Sequence, residues 1–411
     1  MLQSPSKIRW YVAQHSSRED YGVAKAFHSN GQLAGLLTDM WLPWARHVAL
    51  PGRLASLRRR YTPALRDATV YSRPLGGIHL RDLRARKGHD WDRWVRDGNA
   101  FSTWAASRLS KAGLDPRHGV FSYTGTALEV LQYARQRGAV AAIGQVDPGF
   151  VWHDIAQREA DLWGCSVTQG YPSSAYRDRV RAEWDIADWM IVNSRFSKNC
   201  LIADGVDASR IVIAEPPVAQ PKTAAVLSAA PNFHEPLRVL FVGTLSLAKG
   251  IQYLGQAAQR LASQGFTFTA VGHSALPDGF LQKQNWPITH IGHKSREDLV
   301  KIYHDHHVLV FPTLCDGFGL VQTEAQAHGL PVIATTACGD VVQDEKTGFI
   351  VPPADSDAIA DRLVQLRDTP GLLEAMSEQA LVEVRRFTPE RYARRLLAQI
   401  TSHTAIGGDD K

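Results

Sequence analysis

Two carboxylates eight residues apart, Asp316 and Glu324, flank a Gly317-Phe318-Gly319 turn in the stretch FPTLCDGFGLVQTEAQAHGLPVIAT, residues 311–335. An apolar run at 308–311 stops at Pro312, a loop follows, and the turn opens a helix from about Leu320. A second apolar run, 331–334, comes after His328-Gly329, which completes a strand–loop–helix–strand unit. The first backbone N–H groups of such a helix have no internal partners and carry partial positive charge, which suits a phosphate. Gly317 and Gly319 let an anion approach the backbone closely. Glu324, a little over one turn inside, is an acceptor-only side chain suited to both hydroxyls of a ribose. The arrangement fits a nucleoside diphosphate carrying a sugar.

Three further loops offer chemistry. Val242-Gly243-Thr244 leaves an apolar run, and Lys249-Gly250 opens the helical pattern after it. Gln145-Val146-Asp147-Pro148-Gly149 ends another run. Open α/β sheets bind ligands beyond the carboxyl ends of their strands, which would aim Asp147 into a cleft. The same residues also suit a plain Asx-Pro turn. Gly22, in Glu19-Asp20-Tyr21-Gly22-Val23, follows the first run.

Short apolar runs alternate with helical patterns in both halves, as parallel sheets built from βαβ units require. In the first half, 8–13, 120–123, 140–145 and 189–192 read as strands, and Ser194 is placed to cap the helix that follows. An Ala- and Pro-rich linker is expected at 219–236. The second half reads as strand 238–242, helix 249–263, strand 266–271 and helix 296–304, then the unit above. Helices follow at 356–367, 370–385 and 389–400, before a polar tail at 407–411.

At 411 residues the chain exceeds what one core usually supports, so two domains are expected. Hydrophobic content of 44% with 21% charged residues describes a globular protein soluble in water. The opening MLQSPSKIRWYVAQ enters an apolar run without a signal-type stretch, and nowhere do about 18 apolar residues run together. Neither secretion by a signal peptide nor a membrane span is expected. Cys165, Cys200, Cys315 and Cys338 are scattered and form no C-x-x-C, which fits buried thiols in a reduced cytoplasm. The net charge of +5 is unevenly spread: thirteen Lys/Arg against four acids lie between Arg46 and Arg96, and five of the eleven tryptophans between Trp41 and Trp104. That half is expected to face something anionic or interfacial.

Residues 237–366 resemble the donor domain of retaining GT-B glycosyltransferases of family 4. The shared elements recur in order: the opening strand, Lys249-Gly250, the acidic pair around Gly-Phe-Gly, Gly339-Asp340, and Thr347-Gly348-Phe349-Ile350-Val351-Pro352-Pro353. The resemblance implies two Rossmann-like domains facing a central cleft: an acceptor-side domain at 1–218, a donor domain at 237–387, and a last helix, 388–402, packed back on the first. It implies donor contacts from Glu324, Gly317, Phe318, Gly319, Leu320, Gly243, Thr244 and Gly22. It implies catalytic roles for Lys249 on the diphosphate, Asp316 on donor-sugar hydroxyls and Asp147 facing the sugar. Two positions depart from the family: Asp316 stands where Glu is usual, and Thr244 where an Arg usually joins Lys249 on the phosphates. A hydroxyl with backbone amides, or an arginine such as Arg195 reaching in, would then replace the lost cation. Gly22 stands where relatives often show two adjacent glycines.

The implied activity is retaining transfer of a sugar from a nucleoside-diphosphate donor to a glycan, lipid-linked or small-molecule acceptor, with no cofactor, no metal and no nucleic-acid partner. Contact with an anionic membrane face is a further expectation from the basic, Trp-rich stretch. The rivals are an epimerase or phosphorylase on the same scaffold and a silent nucleotide-sugar-binding protein. Asp90-Trp91-Asp92, Asp355-Ser356-Asp357 and His304-Asp305-His306-His307 have metal-like composition. None sits after a sheet strand with converging side chains, and Asp355 instead suits a helix cap.

Overall fold

The computed structural model describes residues 8–46, 48, 57–73, 91–165, 171–217 and 236–404. The expected linker falls outside these residues apart from Pro236, as does the tail at 407–411.

Two parallel sheets organise the chain. The first contains β1 (Arg9–Gln14), β2 (Leu33–Thr38), β3 (Val70–Ser72), β4 (His118–Tyr123), β5 (Val140–Gln145), β6 (Trp189–Val192) and β7 (Ile211–Ile213), in spatial order β3-β2-β1-β4-β5-β6-β7. The second contains β8 (Leu237–Val242), β9 (Phe266–Val271), β10 (Ile288–His290), β11 (Val308–Phe311), β12 (Val332–Thr335) and β13 (Gly348–Val351), in order β10-β9-β8-β11-β12-β13. Each order reverses once, at β1/β4 in the first sheet and at β8/β11 in the second. The loops at the carboxyl ends there splay apart and leave a crevice, where ligands bind in open α/β sheets.

Helices cover both faces. In the first half they are α1 (Gly22–Ser29), α2 (Trp91–Ala112), α3 (Leu128–Gln136), α4 (Val151–Leu162), α5 (Ser174–Ile186) and α6 (Arg195–Ala203). In the second they are α7 (Ile251–Arg260), α8 (Phe280–Gln284), α9 (Arg296–His304), α10 (Leu320–Ala327), α11 (Ser356–Asp368) and α12 (Leu372–Glu383), followed by α13 (Pro389–Thr404). Side-chain caps fix several starts: the Ser194, Ser295 and Asp355 side chains accept from the backbone N–H of Ser197, Asp298 and Ala358. Tyr392, Ala393, Leu396 and Ile400 of α13 are buried among Trp10, Phe27, Ile191 and Val212, so the last helix belongs to the core of the first sheet.

The helix read from Lys249 onward differs in detail. Lys249 ends a 3-10 turn, Leu247–Lys249, and the α-helix starts only after Gly250, whose φ is +72°. A Cβ at Gly250 would meet the Pro312 carbonyl oxygen at 1.8 Å, so the close approach of the β11 loop forces the break. Among the described residues no helix is long and apolar enough to cross a membrane, and the four cysteines are free thiols.

Candidate functional site

Five strand ends meet in one cavity of about 400 Å³ between the sheets. Arg18 and Glu19 follow β1, Val146 follows β5, and Asn193 follows β6. From the second sheet come Gly243 and Lys249 after β8, and Asp316, Phe318, Gly319 and Leu320 after β11. A groove of about 480 Å³ between the end of α1 and α13 is slightly larger. Its lining, Ser29, Asn30 and Gln32 with Glu390 and Arg394, lies at the amino end of β2, away from the switch points, so the smaller cavity is the candidate site.

The β8 and β11 loops are stapled together. Thr313 Oγ1 and the Leu314 N–H both donate to the Ala248 carbonyl, at 3.2 and 2.9 Å. This brings Lys249 Nζ onto Asp316 Oδ2 in an ion pair with both side chains mostly buried, and Lys249 also lies 5.9 Å from the Phe311 ring centroid. Asp316 Oδ1 accepts from the Phe318 N–H at 3.0 Å, which closes the turn into α10. Both helices aimed at this pair, α7 and α10, start at left-handed glycines, Gly250 and Gly319, with no side chain capping them. Their first N–H groups therefore remain for a ligand.

The two turn glycines are required by protein neighbours in the first place. A Cβ at Gly317 would meet the Val146 carbonyl oxygen at 1.9 Å, and one at Gly319 (φ +76°) would meet the Phe311 ring at 2.4 Å. Gly317 is thus where the second domain touches the first, and its carbonyl also accepts from Ser197 Oγ at 3.2 Å. The Phe318 ring is buried against Phe387, with centroids 5.7 Å apart, while Leu320 is exposed at the mouth. Gly339 is packed on Phe318, and Thr347 Oγ1 accepts from the buried Gln326 side chain, so these motif residues brace the loop after β11 from behind.

Glu324 lies one turn deeper and does not line the cavity itself. Tyr303 Oη donates to its Oε2 at 3.3 Å, and burial raises its carboxyl above the ordinary value, opposed by Arg296 and by the Tyr303 hydrogen bond. Asp147 stands across from Gly317, whose hypothetical Cβ would be 3.5 Å from the Asp147 Cα. Its Oδ1 accepts from Gln145 Nε2 at 2.6 Å and from the Gly149 N–H at 3.0 Å. Asp147 therefore makes the Asx turn, and although its side chain stays exposed, it does not line the cavity itself, where its neighbour Val146 does. Crowding by protein raises its carboxyl, offset by the Gly149 bond and by Arg18.

Three further expected residues do not line the cavity. Gly22 has an ordinary helical φ of −52° and room for a side chain, and it does not line the cavity. The unusual backbone precedes it: Glu19, Asp20 and Tyr21 are all left-handed, with φ of 50°, 50° and 59°. Each such non-glycine residue costs on the order of 1–3 kcal/mol and persists only where its surroundings hold it. Here Tyr123 Oη donates to Glu19 Oε2 at 2.8 Å, and burial raises the Glu19 carboxyl. Thr244 is exposed and outside the lining, whereas Gly243 is in it. Arg195 faces Asp340, Nε to Oδ2 3.7 Å, rather than the position of the missing arginine. Arg18, Glu19 and Asn193 went unread in the sequence, although the rule that pointed to Asp147 applies equally to the end of β1.

The metal-like runs separate in space. His306 Nδ1 faces the Ile302 carbonyl, His307 Nδ1 accepts from the Arg238 N–H, and His304 packs edge-on against His328. Asp92 is exposed on α2 and Asp90 lies outside the described residues. In the basic, Trp-rich stretch, Trp41 packs between Tyr21 and Tyr61, Trp91 on Tyr176, and Trp104 on Phe101, while Arg60 is paired with Asp39 at 2.8 Å. Trp44 and Trp94 are exposed. Arg84, Arg86 and Lys87 lie outside the described residues.

Comparison with known proteins agrees with this geometry. Residues 236–369 match the family model described as glycosyl transferases group 1. The capsular polysaccharide biosynthesis glycosyltransferase CapM of Staphylococcus aureus is 34% identical over 146 residues, 33% of this chain and 38% of that protein. The chain spans about half the length or less of the curated relatives that lead the comparison, between 38% and 55%. The sucrose-phosphate synthase of Thermosynechococcus elongatus superposes with a TM-score of 0.66 at 19% identity, covering 97% of this chain and all of that one. The Anabaena protein HepE in complex with UDP-glucose does so with a TM-score of 0.57 at 15% identity, covering 96% and 99%. The two parallel sheets and these superpositions make the fold GT-B.

Proposed function

We propose, for a chain whose residues 236–369 match the glycosyl transferases group 1 model and whose fold is GT-B, that it is a retaining glycosyltransferase using a nucleoside-diphosphate sugar. The observation that carries this reading is the Lys249–Asp316 ion pair beneath the uncapped starts of α7 and α10. A diphosphate competes with Asp316 for Lys249. Once Lys249 turns to the phosphates, the Asp316 carboxylate is released to accept from hydroxyls of the donor sugar. Glu324 holds the ribose, and the N–H groups of the two helix starts take the phosphate oxygens. As the bond to the sugar breaks, charge grows on the leaving diphosphate, where Lys249 and those N–H groups stabilise it best. Asp147, on the opposite wall, positions the acceptor or stabilises positive charge developing on the sugar. Neither a metal nor a cofactor is assigned a step.

Donor hydrolysis without acceptor tests the reading across uridine, guanosine, adenosine and thymidine diphosphate sugars. A transferase releases the nucleotide slowly, a silent binding protein releases none, and an epimerase releases none while converting the sugar. A thermal-shift screen on the same panel identifies the donor, since a ligand at 100 times its Kd stabilises the native state by about 2.7 kcal/mol. The bound UDP-glucose of the HepE structure makes uridine diphosphate glucose the first probe. No thermal shift with any of these sugars would exclude a nucleotide-sugar site.

For the acceptor we infer a glycan or lipid-linked sugar presented to the first domain, with peripheral docking on an anionic membrane face. Trp44 is exposed, and the exposed Arg58 donates to the carbonyl of Val48, four residues beyond it in the chain, at 3.0 Å. Tryptophan favours the membrane–water interface, and each Lys/Arg near an anionic leaflet contributes about 1 kcal/mol. The protein is expected to co-sediment with anionic vesicles at low salt and to be released as salt rises. Failure to bind them even at low ionic strength would assign a soluble acceptor.

A further inference from the structure

Among the described residues lining the cavity, the second domain contributes one cation, Lys249, and residue 244 is Thr. A departing nucleoside diphosphate gains negative charge, and one lysine is a sparse counterpart for it. The first domain presents another cation to the same cavity. Arg18 lines it opposite Lys249 and Gly319, and both ends of this residue are held. Gln14 Nε2 donates to the Arg18 carbonyl at 2.8 Å, and the guanidinium carbon lies 5.1 Å from the Tyr123 ring centroid. Tyr123 is itself anchored on Glu19. The left-handed run Glu19–Tyr21 begins at the next residue, so the Arg18 position is set by backbone that the chain adopts against its preference. The Arg18 charge acts on Glu19, Asp147 and Tyr176 of the same domain.

We propose that Arg18 is the second cation on the donor's diphosphate, reaching it across the cleft in place of the arginine absent at position 244. The proposal rests on the nucleotide-sugar reading of the cleft. An arginine suits the role because its planar fork meets phosphate oxygens in pairs. With Lys249 on one domain and Arg18 on the other, the diphosphate becomes a bridge between domains, so binding and closure of the cleft are coupled.

Titration calorimetry with inorganic pyrophosphate and with uridine, guanosine, adenosine and thymidine diphosphates decides it without depending on turnover. Arg18→Gln keeps much of the side chain's length and removes its charge. It is expected to weaken pyrophosphate and the preferred diphosphate roughly tenfold or more, with the melting temperature of the ligand-free protein unchanged. Arg18→Lys is expected to recover part of the loss. The double variant Arg18→Gln/Thr244→Arg is expected to recover most of it, because the charge returns from the other wall. A merely structural role for Arg18 would not respond to a charge placed at 244, so absence of that rescue overturns the proposal even if Arg18→Gln binds poorly. Wild-type affinity in Arg18→Gln overturns it directly while leaving the nucleotide-sugar reading standing. No binding of any nucleoside diphosphate by the wild type would remove that reading and the proposal with it.

Discussion

Glu324→Ala is expected to weaken the nucleoside-diphosphate sugar at least tenfold, with turnover falling in parallel at fixed donor concentration. A hydrogen bond to a charged group is worth roughly 1.5–3 kcal/mol, and about 1.4 kcal/mol is a factor of ten, so two ribose hydroxyls on one carboxylate exceed that margin. The fold should survive, because Glu324 is only half-buried and its one protein hydrogen bond, from Tyr303, is long at 3.3 Å. Tyr303→Phe separates the contributions: it removes that hydroxyl while keeping the carboxylate, and should bind donor nearly as the wild type does. Calorimetric donor affinity in the two variants checks the prediction. A folded Glu324→Ala protein with wild-type affinity would falsify the ribose assignment.

Lys249→Ala is expected to lower turnover roughly 100-fold or more while changing the Michaelis constant far less. Its charge faces an anion that grows toward the transition state, and losing one such stabilising donor typically costs two to three orders of magnitude. The ion pair with Asp316 adds a control. If Lys249 acted only by holding Asp316 in place, Asp316→Asn would reproduce the Lys249→Ala profile. If it acts on the phosphates, Asp316→Asn should affect sugar selectivity and Lys249→Ala the leaving group. Steady-state kinetics with a donor carrying a better leaving group distinguishes them, since the Lys249→Ala defect should shrink. A variant with altered affinity and normal turnover would refute the role.

The loop after β11 was legible because it combines signals at several levels: an apolar strand, a proline stop, glycines that exclude a side chain, and a helix start with its carboxylate. Strands β3, β7 and β10 were not legible. Each has three residues and lies at a sheet edge, too short for periodicity to register. Strand β2, LAGLLT, is longer but built from residues of modest strand preference. The start of α7 was misjudged because Gly250 reads as an ordinary helix glycine until Pro312 of another strand loop is known to press on it. Arg18 and Glu19 stayed hidden for a different reason. Sequence rules assign left-handed backbone to Gly, Asn and Asp, so a run that includes Glu and Tyr gives no warning. Gly22 itself stands outside the cavity lining, which Arg18 and Glu19 reach from the turn before it.

The burial of α13 in the core of the first sheet changes how the molecule is connected. Both ends of the described chain lie in one domain, so the second domain is in effect an insertion within the other, joined to it by two covalent crossings rather than one. A doubly tethered domain cannot swivel freely. Its rotation is confined largely to an axis through the two crossings, which favours repeated opening and shutting along a single path. The same tethering makes the first domain discontinuous. Removal of the last helix should therefore destabilise the half of the protein farthest from the cut in sequence, and expression of residues 1–217 alone should give a domain with an exposed apolar groove where Tyr392, Leu396 and Ile400 belong.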